Sequence, residues 1–181
     1  MHILTKFAVF FVLILVFALP GYGQQKIAPV IVDFGAINPV PQAVKKPDPS
    51  LTYKILVDAT KASDKPEEIV PALTNTARML NLHAYGGVPS NKMQVVLVVH
   101  SAALPMVLTN EAYKSKFGVD NPNLAIIAAL KKAGVQLFVC GQSMIARNYE
   151  ISSLNPDITL SVSALTVLTE YQLKGYALIS L

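Results

Sequence analysis

Two apolar runs constrain this chain most: "MQVVLVVH", ending at His100, and "VQLFVC", ending at Cys140. A strand with one wet face alternates polar and apolar residues. Past its opening glutamine each of these is apolar on both sides, as a strand covered on both faces must be. Helical segments with their own end signals lie around them. Pro66, followed by Glu67 and Glu68, opens a helix with an apolar stripe through Ile69, Leu73, Ala77, Leu80 and Ala84, and Gly86 with Gly87 stops it. "TNEAYKSKFG" reads as a short helix. "NPNLAIIAALKKAG" has Asn121 as cap, Pro122 at the first position and Gly134 at the stop. A short helix near "SMIARN" follows the second run, and Ser163 caps "ALTVLTEYQLK". "YKILVDAT", "DITLSV" and "YALIS" supply three more strands. Such alternation predicts an α/β fold: a parallel sheet with helices on both faces, joined by right-handed crossovers.

Two segments precede that domain. "MHILTKFAVFFVLILVFALPGYGQQ" places Lys6 before an apolar run from Phe7 to Leu19, with Pro20 as breaker and Gly21 and Gly23 as a small-x-small cleavage pattern. This is the layout of an export signal, and residues 1–23 are expected to be cleaved. The run is short for a membrane span of about 20 residues. Membrane contact is therefore expected only through the uncleaved signal, and the mature chain is expected to be periplasmic or secreted. No cysteine follows the apolar run, which excludes lipoprotein processing. Residues 24–50 carry Pro29, Pro39, Pro41, Pro47 and Pro49, which forbid a continuous helix. The apolar knot Val30-Ile31-Val32 with Phe34 argues against a purely solvated linker. An extended, proline-rich arm lying over another surface is expected, followed by the α/β domain over residues 51–181.

Charge excludes several classes. The formal net charge of +4 falls to +3 once Lys6 leaves with the signal, and only Lys45-Lys46 and Lys131-Lys132 are adjacent basic pairs. A nucleic-acid footprint needs tighter clustering, so no nucleic-acid partner is expected. His83, His100 and Cys140 have no close-spaced ligand pair, and phosphate-loop and dinucleotide glycine patterns are absent. Neither a metal nor a cofactor is expected.

In open α/β sheets, sites form at the carboxyl ends of the strands. That edge carries Asp58 to Thr60, His100, Cys140 and Ser161 to Ser163. Cys140 is the only cysteine, so an exported chain cannot bridge it internally. It leaves its strand where a helix begins, so free N–H groups and the positive helix end face the sulfur and favour the thiolate. Gly141 permits a tight turn, and Gln142 and Ser143 offer side-chain donors. His100 is the candidate base or charge partner, with Asp58 to orient it. The alternative is a cysteine that only packs, since free cysteine is among the most buried residue types. A thiol peroxidase would need a resolving thiol, which this chain could draw only from another subunit.

The segments "ARMLNLHAYGGVP", "VVLVVHSAAL", "AYKSKFGVDNPN", "LKKAGVQLFVCGQSM" and "QLKGYALISL" together resemble the DsrE/DsrF-like family, in particular its exported single-domain members. "FGAINPVPQAVKKPDPS" is similar to the arm that precedes the domain in those members, and "VCGQSM" after "LKKAGV" is the most specific element. The resemblance implies a three-layer α/β/α domain with five parallel strands in the order 4-3-2-1-5. It implies homo-oligomers, trimers or hexamers, and thiol-containing donor or acceptor proteins. In relatives the cysteine that matches Cys140 carries sulfur as a persulfide. The pattern departs at Ser101, where relatives often have glycine, so a close backbone approach to a ligand is not expected there. Two functions follow: a sulfur carrier or sulfurtransferase acting through Cys140, or a non-catalytic binding and assembly domain with a structural cysteine.

Overall fold

In the computed structural model, which describes residues 25–181, β2 (Met93–Val99) has its last five residues buried, the mark of a strand covered on both faces. The export signal expected over residues 1–23 lies outside the described residues. β2 is flanked by β1 (Tyr53–Ala59) and β3 (Gln136–Cys140), and the short edge strands β4 (Thr159–Ser161) and β5 (Ala177–Ser180) complete the sheet. The order is β4-β3-β2-β1-β5, and every pairing is parallel. The fold is the three-layer α/β/α arrangement with five parallel strands.

Alternation along the strands divides the core in two. Val57, Ala59, Leu97, Val99, Leu137 and Val139 face the larger half, beneath α1 (Pro71–Tyr85) and α3 (Leu124–Lys132). Leu56, Val96, Val98 and Cys140 face the smaller half, where α5 (Ala164–Leu173) brings Ala164 and Val167. α2 (Asn110–Phe117) and α4 (Gly141–Ala146) follow β2 and β3, and a 3-10 helix over Ser101–Val107 leads out of β2.

Two helix starts differ from the sequence expectation. The first helix begins at Pro71, not Pro66. Pro71 holds Val70 extended, at φ −59° and ψ 128°, so no helix can run through it. Pro66 sits instead in a turn closed by the Glu68 N–H donating to the Lys65 carbonyl. Asn121 is not the cap of α3, which starts after Asn123. Its buried amide donates to the carbonyls of Met106 and Leu108 while its oxygen accepts from the Asn123 N–H, tying the loop to the end of the 3-10 helix.

The proline-rich arm lies over α1 of its own chain. Asn81, fully buried in α1, accepts from the N–H groups of Val30 and Ile31 and donates to the carbonyls of Ile31, Phe34 and Gly35. Ile27 and Ile37 exchange both backbone bonds and close the loop. Gly35, at φ 63°, passes so close to α1 that an added Cβ would lie 2.3 Å from the Arg78 nitrogen. Of the knot expected over Val30-Ile31-Val32 with Phe34, Ile31 joins the larger core and Val30 and Phe34 pack partly against it, while Val32 is exposed.

Candidate functional site

β3 delivers its side chains alternately, so Leu137 and Val139 go to the larger core and Cys140 to the α5 side. Cys140 is also the N-cap of α4, with φ −73° and ψ 110°, and pairs with Ser161 of β4. Gly141 must follow it. A Cβ there would stand 2.7 Å from the Ser161 carbonyl oxygen, well inside contact distance. The turn into α4 is therefore pressed against the β4 backbone, and only glycine fits.

That closeness brings a second helix start to the sulfur. Ser163 caps α5, its hydroxyl accepting from the Leu165 N–H, and the same hydroxyl oxygen is 3.9 Å from the Cys140 sulfur. Burial is the largest influence on the thiol and pushes its pKa up, since only 4 % of the residue is exposed. The Ser143 hydroxyl, the backbone N–H groups of Ala164 and Ser143, and the Ser163 hydroxyl act the other way. Together they outweigh burial and leave the thiol below its ordinary value. Each donor is a hydrogen-bond partner that the anion uses better than the thiol does. A buried sulfur at which two helix starts meet is a place prepared for negative charge.

Asp58, His100 and Cys140 reach the same side of the sheet rim. Asp58 lies two residues beyond Leu56, and His100 continues β2 in extended backbone (φ −155°, ψ −174°) beyond Val98. The last β2–β3 pair is Val99 with Val139, so His100, the residue after β2, and Cys140, the last of β3, each follow that pair by one position. The His100 ring is engaged on both nitrogens. Nε2 is 2.8 Å from Asp58 Oδ1, and Nδ1 is 2.9 Å from the Ser101 hydroxyl. Asp58 is therefore the orienting partner of His100, but the ring's two hydrogen bonds do not go to the sulfur. Gln142 is exposed beside a shallow depression lined by Ile145, Ile151, Leu160 and Val162, and supplies no donor to Cys140. Of the expected supporting residues, Ser143 helps to lower the thiol pKa, Gly141 shapes its turn and Asp58 holds the neighbouring histidine.

Ser163, Ala164 and Ser101 are the additions. The sequence places Ser163 as a cap at the rim, which is half of its role; its approach to the sulfur depends on β4 lying beside β3. Ser101 has φ 56°, a left-handed backbone that costs a non-glycine residue about 1 kcal/mol. That conformation lets its hydroxyl meet the imidazole of the preceding residue.

A family model, the DsrE/DsrF-like family, matches residues 54–181, and the chain belongs to that family. No curated protein matches it. Among solved structures it is similar to the protein of unknown function MTH1491 from Methanobacterium thermoautotrophicum, at 16 % identity and a TM-score of 0.53. That likeness covers 71 % of this chain and 99 % of the other and establishes shared fold alone.

Proposed function

We propose that the protein is a sulfur carrier or sulfurtransferase that holds sulfane sulfur on Cys140 as a persulfide. The observation that carries this reading is a buried thiol at the start of α4, 3.9 Å from the Ser163 hydroxyl that caps α5, with Ser143, Ser163 and the Ala164 N–H lowering its pKa. In the loading step the Cys140 thiolate attacks the outer sulfur of a donor persulfide. The new S–S bond forms on Cys140, the donor's S–S bond breaks, and the donor leaves as a thiolate with the electron pair. In the unloading step an acceptor thiolate attacks that outer sulfur, and Cys140 departs as a thiolate into the same donors. Both steps create or consume anionic sulfur at one point, which is what the two helix starts stabilise. The setting proposed for this chemistry is extracytoplasmic, from the signal-like residues 1–23. A trimer or hexamer is the proposed assembly. The exposed apolar side chains of Ile145, Ile151, Val162 and Leu165 beside the site support a protein-facing surface.

The experiment is mass spectrometry of the intact protein after exposure to polysulfide. Cys140 should gain the mass of sulfur, and Cys140→Ser should gain none while keeping fold and assembly. Near-complete burial of Cys140 favours a second reading, in which the cysteine only packs. Slow alkylation of the native thiol, with no gain of sulfur, would establish that reading instead.

A further inference from the structure

We infer that Asp58, His100 and Ser101 form a proton-transfer chain whose terminal group, the Ser101 hydroxyl, deprotonates the thiol that takes sulfur from Cys140. The inference rests on the sulfur-carrier reading and adds an activity at the neighbouring strand end. Three observations carry it. The chain is continuous, with 2.8 Å from Asp58 Oδ1 to His100 Nε2 and 2.9 Å from Nδ1 to the Ser101 hydroxyl. The carboxylate can only accept, so Nε2 carries a hydrogen and Nδ1 of the neutral ring accepts from Ser101. The ring nitrogen left to accept a proton is thereby Nδ1, turned to the Ser101 hydroxyl.

The second observation is position: His100 follows Val99 as Cys140 follows Val139, the last β2–β3 pair, and strand alternation puts both on the α5 side of the rim with Val98. The third is backbone strain. Ser101 holds φ 56°, where glycine would be at ease, so the hydroxyl is kept against a conformational cost. The donors around the Cys140 sulfur favour its thiolate. An incoming thiol has no such help. Its proton passes to the Ser101 oxygen as the Ser101 proton passes to Nδ1. The resulting thiolate attacks the outer sulfur on Cys140, the Cys140 S–S bond breaks, and Cys140 leaves as a thiolate. The imidazolium then returns its proton to solvent.

The test uses the full chain, loaded with polysulfide and then unloaded by a small thiol such as free cysteine across a range of pH. The variants are Ser101→Gly, which relieves the left-handed strain and so retains the fold, and Ser101→Ala. Both should load at the wild-type rate and unload about 100-fold more slowly at neutral pH, the low end of what general base catalysis supplies. The deficit should shrink as pH rises through the acceptor's own ionisation near 8.5, where the acceptor needs no base. A purely structural serine would slow unloading equally at every pH, or not at all, and either result overturns the inference. Wild-type protein that never gains sulfur overturns the sulfur-carrier reading and this inference with it. Normal loading with normal unloading in Ser101→Gly removes the proton chain alone.

Discussion

The Cys140 sulfur lies 3.9 Å from the hydroxyl oxygen of Ser163, a residue 23 positions away in sequence. The contact exists because β4 lies beside β3 and α5 starts at the end of β4, so the cap of one helix meets the cap of another. A hydroxyl suits this place because it rotates. It accepts from the S–H of the neutral thiol and donates to the thiolate.

Ser163→Ala and Ser143→Ala each remove one hydroxyl donor to the thiolate. Each should raise the midpoint of the alkylation rate against pH, because the thiolate loses a donor while burial still pushes the value up. The double variant should move it further, leaving burial and two backbone N–H groups to set the value. The profile of iodoacetamide modification measures this directly. A midpoint unmoved by both substitutions would mean that the hydroxyls do not serve the anion.

Gly141→Ala places a Cβ 2.7 Å from the Ser161 carbonyl oxygen, and neither the β4 backbone nor the first turn of α4 can move without disturbing the other. A loss of about 1–3 kcal/mol is expected in urea unfolding, the range for overpacking a close contact. Because α4 supplies the Ser143 donors, Cys140 should also alkylate more slowly at neutral pH.

The strand-then-helix placement of Cys140 is legible in "VQLFVCGQS", because the apolar run ends where glycine and polar residues begin. Asp58 and His100 are legible for the same reason, as polar residues that end apolar strands. Long-range geometry is not. Ser163 reaches the sulfur through a β3–β4 pairing that no local pattern encodes, and Gln142, with the same local credentials as Ser143, points to solvent. Ser101 follows from a backbone dihedral at a position where composition offers only a serine. The helix start at Pro71 was open to inspection, since the second proline excludes helix at Val70, but the acidic pair after Pro66 imitates a first turn.

Asn81→Ala removes the fully buried amide that satisfies the arm's backbone at Val30, Ile31, Phe34 and Gly35. The sequence signal for Asn81 was slight, an amide near the apolar stripe of α1, and only the arm's need for partners explains it. An unpaired buried polar group costs about 1–3 kcal/mol, and several are stranded here. The arm should detach, exposing residues 25–50 to limited proteolysis, while the sheet and the chemistry of Cys140 persist. Unchanged protease resistance would show that Ile31 and Ile37 hold the arm by burial alone.

Cys140→Ser should change stability in a pH-dependent way, and the sign follows from the lowered thiol pKa. A thiol whose folded pKa is below its unfolded value of about 8.5 binds fewer protons folded than unfolded as pH rises between the two. Stability from this group therefore grows as pH rises through the folded pKa. It is complete above about pH 8.5 and lost as pH falls back through the folded pKa. Serine has no such ionisation, so the stability of wild type relative to Cys140→Ser should increase toward alkaline pH and level off there. Urea unfolding of both proteins between pH 6 and 9 reads that difference. A constant gap across the range would mean that the thiol ionises alike in folded and unfolded chains, and the donors around the sulfur would then be packing rather than electrostatics.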